Sequence, residues 1–270
     1  MKVAALVAYD GTRFAGFQRQ SPDKGPTVQG TLETVIERIA GVAIPVEAAG
    51  RTDSGVHATG QVVSFTAPEK PSAQTWWRAL NALLPADVAV RAVSLAPDSF
   101  RARWSALSRS YCYRIHCDAT RDPLRERYVW RVSQPLDVAA MAEAARLLLG
   151  KRDFGAFGSS PRDRSDDGYR GHTVREMMGA ECRPSSCYPD ELECAFTANA
   201  FLTGMVRRLV GTLVRVGECK LSVAEFQGIL EAAEKTHPGA AAPARGLCLT
   251  GVAYPPELLR WPDEDGRGND

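Results

Sequence analysis

Apolar and polar positions recur along this chain with two periods, and the periods switch in a regular order. Residues 2–9 form an apolar, β-prone run closed by the turn pair Asp10-Gly11. Residues 28–40 change to helical spacing. Val28, Leu32, Val35, Ile36 and Ile39 share one face, Thr27 is placed to cap the start, and Gly41 stops the end. Strands are predicted at 45–49 and 61–66, on either side of a loop at 50–60. A helix at 73–84 is closed by Pro85, and a strand follows at 87–95. The order is βαββαβ.

The second half repeats that order without close repetition of sequence. Residues 104–117 read as a long strand, with Leu107, Tyr111, Tyr113 and Ile115 on one face by alternation. Asp137 caps a helix that carries Val138, Met141, Ala145, Leu148 and Leu149 on one side and ends at Gly150. Strands are predicted at 172–182 and 191–198, a helix at 200–216, a helix at 223–234 with Ser222 and Glu225 as a capping box, and a last strand at 247–254. The segment 151–171, rich in Ser, Arg, Asp and Gly, reads as a mobile loop. Two such units predict an α+β protein of two ferredoxin-like halves, with mainly antiparallel sheets around a central cleft. The expected division is 1–104, 105–256 and a disordered tail at 257–270.

Composition narrows the class. The apolar and charged fractions, 44% and 24%, are those of a globular protein. The apolar start is too short for a signal peptide and no stretch suits a bilayer, so the expectation is a cytoplasmic protein without membrane attachment. Seven cysteines at irregular spacing argue against a disulfide framework. The cluster of Cys182, Cys187 and Cys194 lacks metal-site spacing, so buried thiols are expected and no metal site. Net charge is only +1, but the last 14 residues carry five acidic and two basic side chains, leaving the body at +4. Arg outnumbers Lys 27 to 6, which suits bidentate phosphate contacts and equally reflects an Ala-, Arg- and Gly-rich chain. Charge alone neither selects nor excludes a nucleic-acid partner.

The loop at 50–58 packs an Arg, an Asp and a His between glycines and joins two strands. Convergent polar groups on a scaffolded loop are a common place for function. By spacing alone, Asp53 is better read as an Asx-turn residue bonding its own neighbouring amides. Other segments shift that balance: YDGTRFAGFQRQ from Tyr9, TVQG from Thr27, Tyr111 and Tyr113 on one strand, and FLTGMVRRLVG from Phe201.

These strings, in this order, resemble the tRNA pseudouridine synthase A family, bacterial type, from Val3 to Tyr254. GRTDSGVHA at 50–58, followed by Gln61-Val62, is the most specific of them. YDGT, TVQG, Tyr-x-Tyr at 111–113, Asp153-Phe154 with Phe157, MVR at 205–207 and Gly246-Leu247-x-Leu249 support it. The chain departs from the family pattern at Phe17, where many members carry Trp, and at Thr203-Gly204.

The resemblance implies the pseudouridine synthase fold and isomerisation of uridine to pseudouridine within the anticodon stem-loop of tRNA, at positions 38, 39 and 40. It implies no cofactor, group donor or metal, tRNA as partner, and a homodimer. Asp53 is then the catalytic carboxylate. Burial against an extruded base drives such a group toward its neutral form, and a nearby cation opposes that. By resemblance the cation is Arg207. Helix spacing agrees, placing Arg207 on the flank of a stripe of Leu202, Val206, Leu209, Val210 and Leu213. Tyr111 matches the family's active-site tyrosine, able to stack on the flipped uracil. Arg51 is placed to fill the gap the extruded base leaves. His57 is expected to brace the loop, and Tyr113 to be a core residue. Other readings stay open: a member of the family acting at other RNA positions, or an inactive RNA-binding module.

Overall fold

The computed structural model describes residues 1–68, 71–159, 173–234 and 239–262. The chain forms two compact units, Met1–Ser108 with the chain from Leu249 on, and Arg109–Cys248.

The first unit opens with β1 (Lys2–Tyr9), followed by α1 (Val28–Ala40), β2 (Glu47–Ala48), β3 (His57–Thr66), α2 (Ala73–Leu83) and β4 (Val88–Ala96). The caps are those the sequence predicts. The Thr27 hydroxyl accepts the Gly30 amide, and Gly41 ends α1 at φ 75°, a left-handed value that favours glycine. Strand β1 pairs antiparallel with both β3 and β4. Strand β3 is longer than expected and starts at His57, which shortens the loop before it. Only Thr59 and Thr66 on β3 are exposed, the pattern of a strand covered on both faces. Leu32 and Ile36 of α1 and Trp76 and Leu80 of α2 pack inward, with Trp76 edge-on to Phe65 at 5.1 Å between ring centres.

The second unit runs through β5 (Ser108–His116), β6 (Trp130–Arg131), α3 (Val138–Arg146), β7 (Gly150–Asp153), β8 (Val174–Pro184), β9 (Glu191–Ala198), α4 (Met205–Gly217) and α5 (Val223–Ala232). Its strands lie in the order β5-β9-β8-β7, antiparallel throughout, with β6 parallel to β5. The last strand, β10 (Leu247–Ala253), begins in the second unit and ends in the first. Met141, Phe154, Phe157, Phe196, Leu209, Leu213 and Phe226 fill the core. The mixed α+β architecture and mainly antiparallel pairing agree with expectation.

Several elements differ from the sequence-based pattern. Residues 104–107 are not strand, because residues 101–105 close a turn through the Ser105 amide and the Arg101 carbonyl, 2.9 Å apart. Helix α4 starts at Met205 rather than 200, since Gly204 takes φ 70° and the Thr203 amide bonds the Ser159 carbonyl. The segment 151–171 is not loop throughout. Gly150–Asp153 pairs with β8, and Phe154 and Phe157 are fully buried; residues 160–172 lie outside the described set. The cysteine expectation also changes. Cys182 and Cys194 are direct cross-strand neighbours on β8 and β9 and are joined as a disulfide, with Cα atoms 4.2 Å apart. Among the described residues no group of three His, Cys, Asp or Glu is arranged to hold a metal. No described helix is long and apolar enough to cross a membrane.

Candidate active site

The loop carrying Arg51 and Asp53 leaves β2 at Ala48 and enters β3 at His57. Its turn is closed by main chain. The Val56 amide donates to the Asp53 carbonyl at 3.1 Å, with Gly55 at φ 77°. In an Asx-turn the Asp side chain would take the amide two residues on, as Asp10, Asp118, Asp122 and Asp153 do here. The amide of Gly55 donates to the Phe14 carbonyl at 3.4 Å. Main-chain bonds thus take part in closing this turn and in tying it to the segment after β1. Asp53 is half-buried and Arg51 is exposed.

What holds the loop comes from the segment after β1 and from β3. The Phe17 amide donates to the Thr52 carbonyl at 3.0 Å, and the Ser54 hydroxyl to the Phe14 carbonyl at 3.1 Å. The Tyr9 hydroxyl and Thr52 Oγ1 are bonded at 2.8 Å, and Gln61 Nε2 donates to the Gly50 carbonyl at 2.8 Å. Two glycines let the backbones come this close. A Cβ on Gly11 would lie 2.0 Å from the Val56 carbonyl oxygen, and one on Gly16, at φ 108°, 2.9 Å from that of Thr52. The YDGT…GFQ segment is thus a buttress for the loop.

His57 belongs to the same buttress. Its Nδ1 accepts the Gly11 amide at 3.0 Å, tying the turn after β1 to the start of β3. An Asp10 carboxylate oxygen lies 3.2 Å from that nitrogen, which cannot donate to it while accepting from Gly11.

Tyr111 and Arg207 are carried by the second unit. Tyr111 sits on β5 opposite Phe196, is buried, and meets Phe201 edge-on, with ring centres 5.1 Å apart and planes at 85°. Phe201 stands in the loop before α4, not inside the helix as the spacing predicts. On α4, Met205, Val206, Leu209, Val210 and Leu213 are buried and Arg207 is half-buried at their flank. A clamp fixes Arg207: its Nε donates to the Ala242 carbonyl at 2.7 Å, and its own carbonyl accepts the Ala242 amide at 2.9 Å. One turn on, Gly211 leaves room for that segment, since a Cβ there would lie 2.2 Å from the Ala240 oxygen. The same segment holds Tyr113, whose hydroxyl donates to the Pro243 carbonyl at 2.8 Å. Burial drives the Tyr113 pKa far above its usual value, against the opposing charges of Arg207 and Arg245. Tyr113 stays protonated and structural, while Arg207 is aimed by a backbone clamp that local sequence could not show.

The chain is similar to known proteins over almost all its length. Residues 5–105 and 144–255 match the sequence profile described as tRNA pseudouridine synthase. A tRNA pseudouridine synthase A from Chloroflexus aurantiacus is 42% identical over 269 residues, 99% of this chain and 94% of that protein. One from Geobacillus kaustophilus is 41% identical over 259 residues, 96% of each. One from Paramagnetospirillum magneticum is 43% identical over 250 residues, 92% of this chain and 93% of the relative. A solved chain of a Cbf5–Nop10–Gar1 complex aligns at a TM-score of 0.29 and 12% identity, covering 79% of this chain and 54% of that one, a likeness too weak to argue from.

Proposed function

This chain belongs to the tRNA pseudouridine synthase family and is an isomerase, and from that premise we propose that it converts uridine to pseudouridine in the anticodon stem-loop of tRNA, at positions 38, 39 and 40, with Asp53 as the catalytic carboxylate. In the reaction the N1–C1′ bond breaks, the uracil turns while held, and C5 bonds to C1′. The C5 proton leaves and N1 gains one, so atoms and electrons balance without a donor or oxidant. No cofactor is therefore required.

The observation that carries the assignment is the string GRTDSGVHA at 50–58, in a chain that matches the family over nearly its whole length. The loop that presents this carboxylate is held by bonds from the strand and turn beside it. Preorganisation of that kind favours a nucleophile or base, because misplacement by about 1 Å can cost ~10²-fold in rate. The roles of the other residues are those the family resemblance implies, and their chemistry suits them. Arg207, fixed by its backbone clamp, supplies the cation that keeps a carboxylate ionised beside a bound base. Tyr111 offers its ring to the flipped uracil. Arg51, exposed on the loop, fills the space the uridine vacates. The active form is a homodimer that presents one tRNA to both subunits.

The test is Asp53→Asn, which keeps shape and removes the charge. Tritium release from tRNA labelled at uridine C5 should fall to background while filter-retained tRNA binding persists. Release at the wild-type rate would refute the assignment. Light scattering tests the dimer: a monomer that modifies tRNA at full rate removes that part of the proposal.

A further inference from the structure

Resting on Asp53 as the catalytic carboxylate, we propose that Tyr9, Thr52 and Gln61 are positioning residues of the isomerisation, a buried hydrogen-bonded line that fixes the direction in which the loop presents Asp53. The three side chains come from β1, the loop and β3, and are 4%, 7% and 0% exposed. At that burial none of them can touch tRNA, so they act through Asp53 or not at all.

The bonds run along the loop on both sides of Asp53. Gln61 Nε2 donates to the Gly50 carbonyl at 2.8 Å and reaches the Tyr9 hydroxyl at 3.5 Å. An amide nitrogen only donates, so the Tyr9 oxygen accepts there. The Tyr9–Thr52 bond of 2.8 Å holds with either hydroxyl as donor. Thr52, the residue directly before Asp53, is thereby gripped twice, by Tyr9 at its side chain and by the Phe17 amide at its carbonyl. On the far side, the amides of Gly55 and Val56 close the loop.

The chemistry of these side chains points to direction rather than stability. A buried amide and two buried hydroxyls are costly unless bonded. Gln61 Oε1 is buried and has no hydrogen-bond partner among the described residues. A Met at this position would pack with no such orphan. What the amide does that an apolar side chain cannot is hold the Gly50 carbonyl, and with it the entry to the loop.

The test uses the full chain and single-turnover tritium release from C5-labelled tRNA at saturating enzyme, with tRNA affinity and thermal midpoint measured alongside. Tyr9→Phe, Thr52→Val and Gln61→Met should each slow the chemical step at least tenfold, roughly, with affinity within about twofold. Thr52→Ser, which keeps the oxygen, should restore the rate to within about threefold. Tyr9→Phe combined with Thr52→Val should be no slower than the slower single variant, since both cut one bond. Leu230→Ala, in α5 of the second unit, lowers the thermal midpoint through a core cavity and should leave the rate unchanged. Wild-type rates in Tyr9→Phe and Gln61→Met would overturn the proposal, as would an equal rate loss in Leu230→Ala. Tyr9→Phe removes one oxygen and preserves shape, so it tests the line even where Gln61→Met fails to fold. Asp53→Asn is run in parallel to separate the two readings. An active Asp53→Asn overturns the catalytic assignment on which the line depends. An inactive Asp53→Asn beside a fully active Tyr9→Phe refutes the positioning role alone.

Discussion

Gly11→Ala is the sharpest structural test of the buttress. The φ of Gly11 is not in the left-handed region, so the substitution carries no backbone penalty of its own. Its whole effect is one methyl group. That Cβ would lie 2.0 Å from the Val56 carbonyl oxygen and 2.6 Å from its carbon, and both are backbone atoms that cannot rotate away. Carbon contacts become comfortable near 3.5 Å, so the turn after β1 and the start of β3 must part by roughly 1.5 Å. The separation stretches the Gly11–His57 bond from 3.0 Å and loosens the Val56–Asp53 closure. Overpacking costs ~1–3 kcal/mol and each lost bond about 1 kcal/mol more, for a total of about 3–5 kcal/mol. For a protein of this size each kcal/mol moves Tm by ~2–4 °C, so the midpoint should drop by roughly 6–20 °C. The chemical step should slow by about 10²-fold, because the loop moves by more than the tolerance of a catalytic group. Calorimetry and single-turnover tritium release measure the two effects. A Gly11→Ala protein with an unchanged midpoint and a wild-type rate would refute the account of how the loop is held.

Three further outcomes are expected. Tyr113→Phe leaves the Pro243 carbonyl without the Tyr113 hydroxyl in a buried setting and should destabilise by ~1–3 kcal/mol, read as a lower urea midpoint at unchanged slope. Protein purified without reductant and then denatured should titrate with five thiols, rising to seven after reduction. In the native state exposed Cys187 and Cys219 should alkylate first, while Cys112, whose pKa burial pushes to about 11, should resist at pH 8. Glu225 is held below the usual carboxylate range, chiefly by the Ser222 backbone amide and then by its hydroxyl. A depressed folded pKa gives stability that is full above the unfolded value and is lost as pH falls through the folded one. The gap in thermal midpoint between wild type and Glu225→Gln should therefore be open at neutral pH and close on titration below about pH 4.

The main elements could be read from local pattern because their determinants are local. Thr27, Gly41, Asp137 and the Ser222–Glu225 box cap helices within a few residues of themselves. The alternating positions of β9 follow from which face is buried. Elements that depend on a distant partner were not legible. Gly150–Asp153 carries no apolar face and becomes strand only by pairing with β8. The disulfide depends on a register that sets Cys182 against Cys194 across two strands, which spacing along one chain cannot reveal.

The site divides along the same line. The residues proposed for it, from Arg51 and Asp53 to Tyr111 and Arg207, are written in specific strings that the sequence alone delivers. Local rules nevertheless assign Asp53 to an Asx-turn, because they see only its neighbours. Tertiary structure adds what those rules cannot see: the Gly55 amide finds Phe14, Thr52 finds Tyr9, and Arg207 is clamped by Ala242. These partners lie roughly 35 to 43 residues away in sequence. Hydrogen-bonding groups go where a partner is in reach, and reach is fixed by the fold, so the sequence names the proposed carboxylate while the packing around the loop fixes how the loop is held.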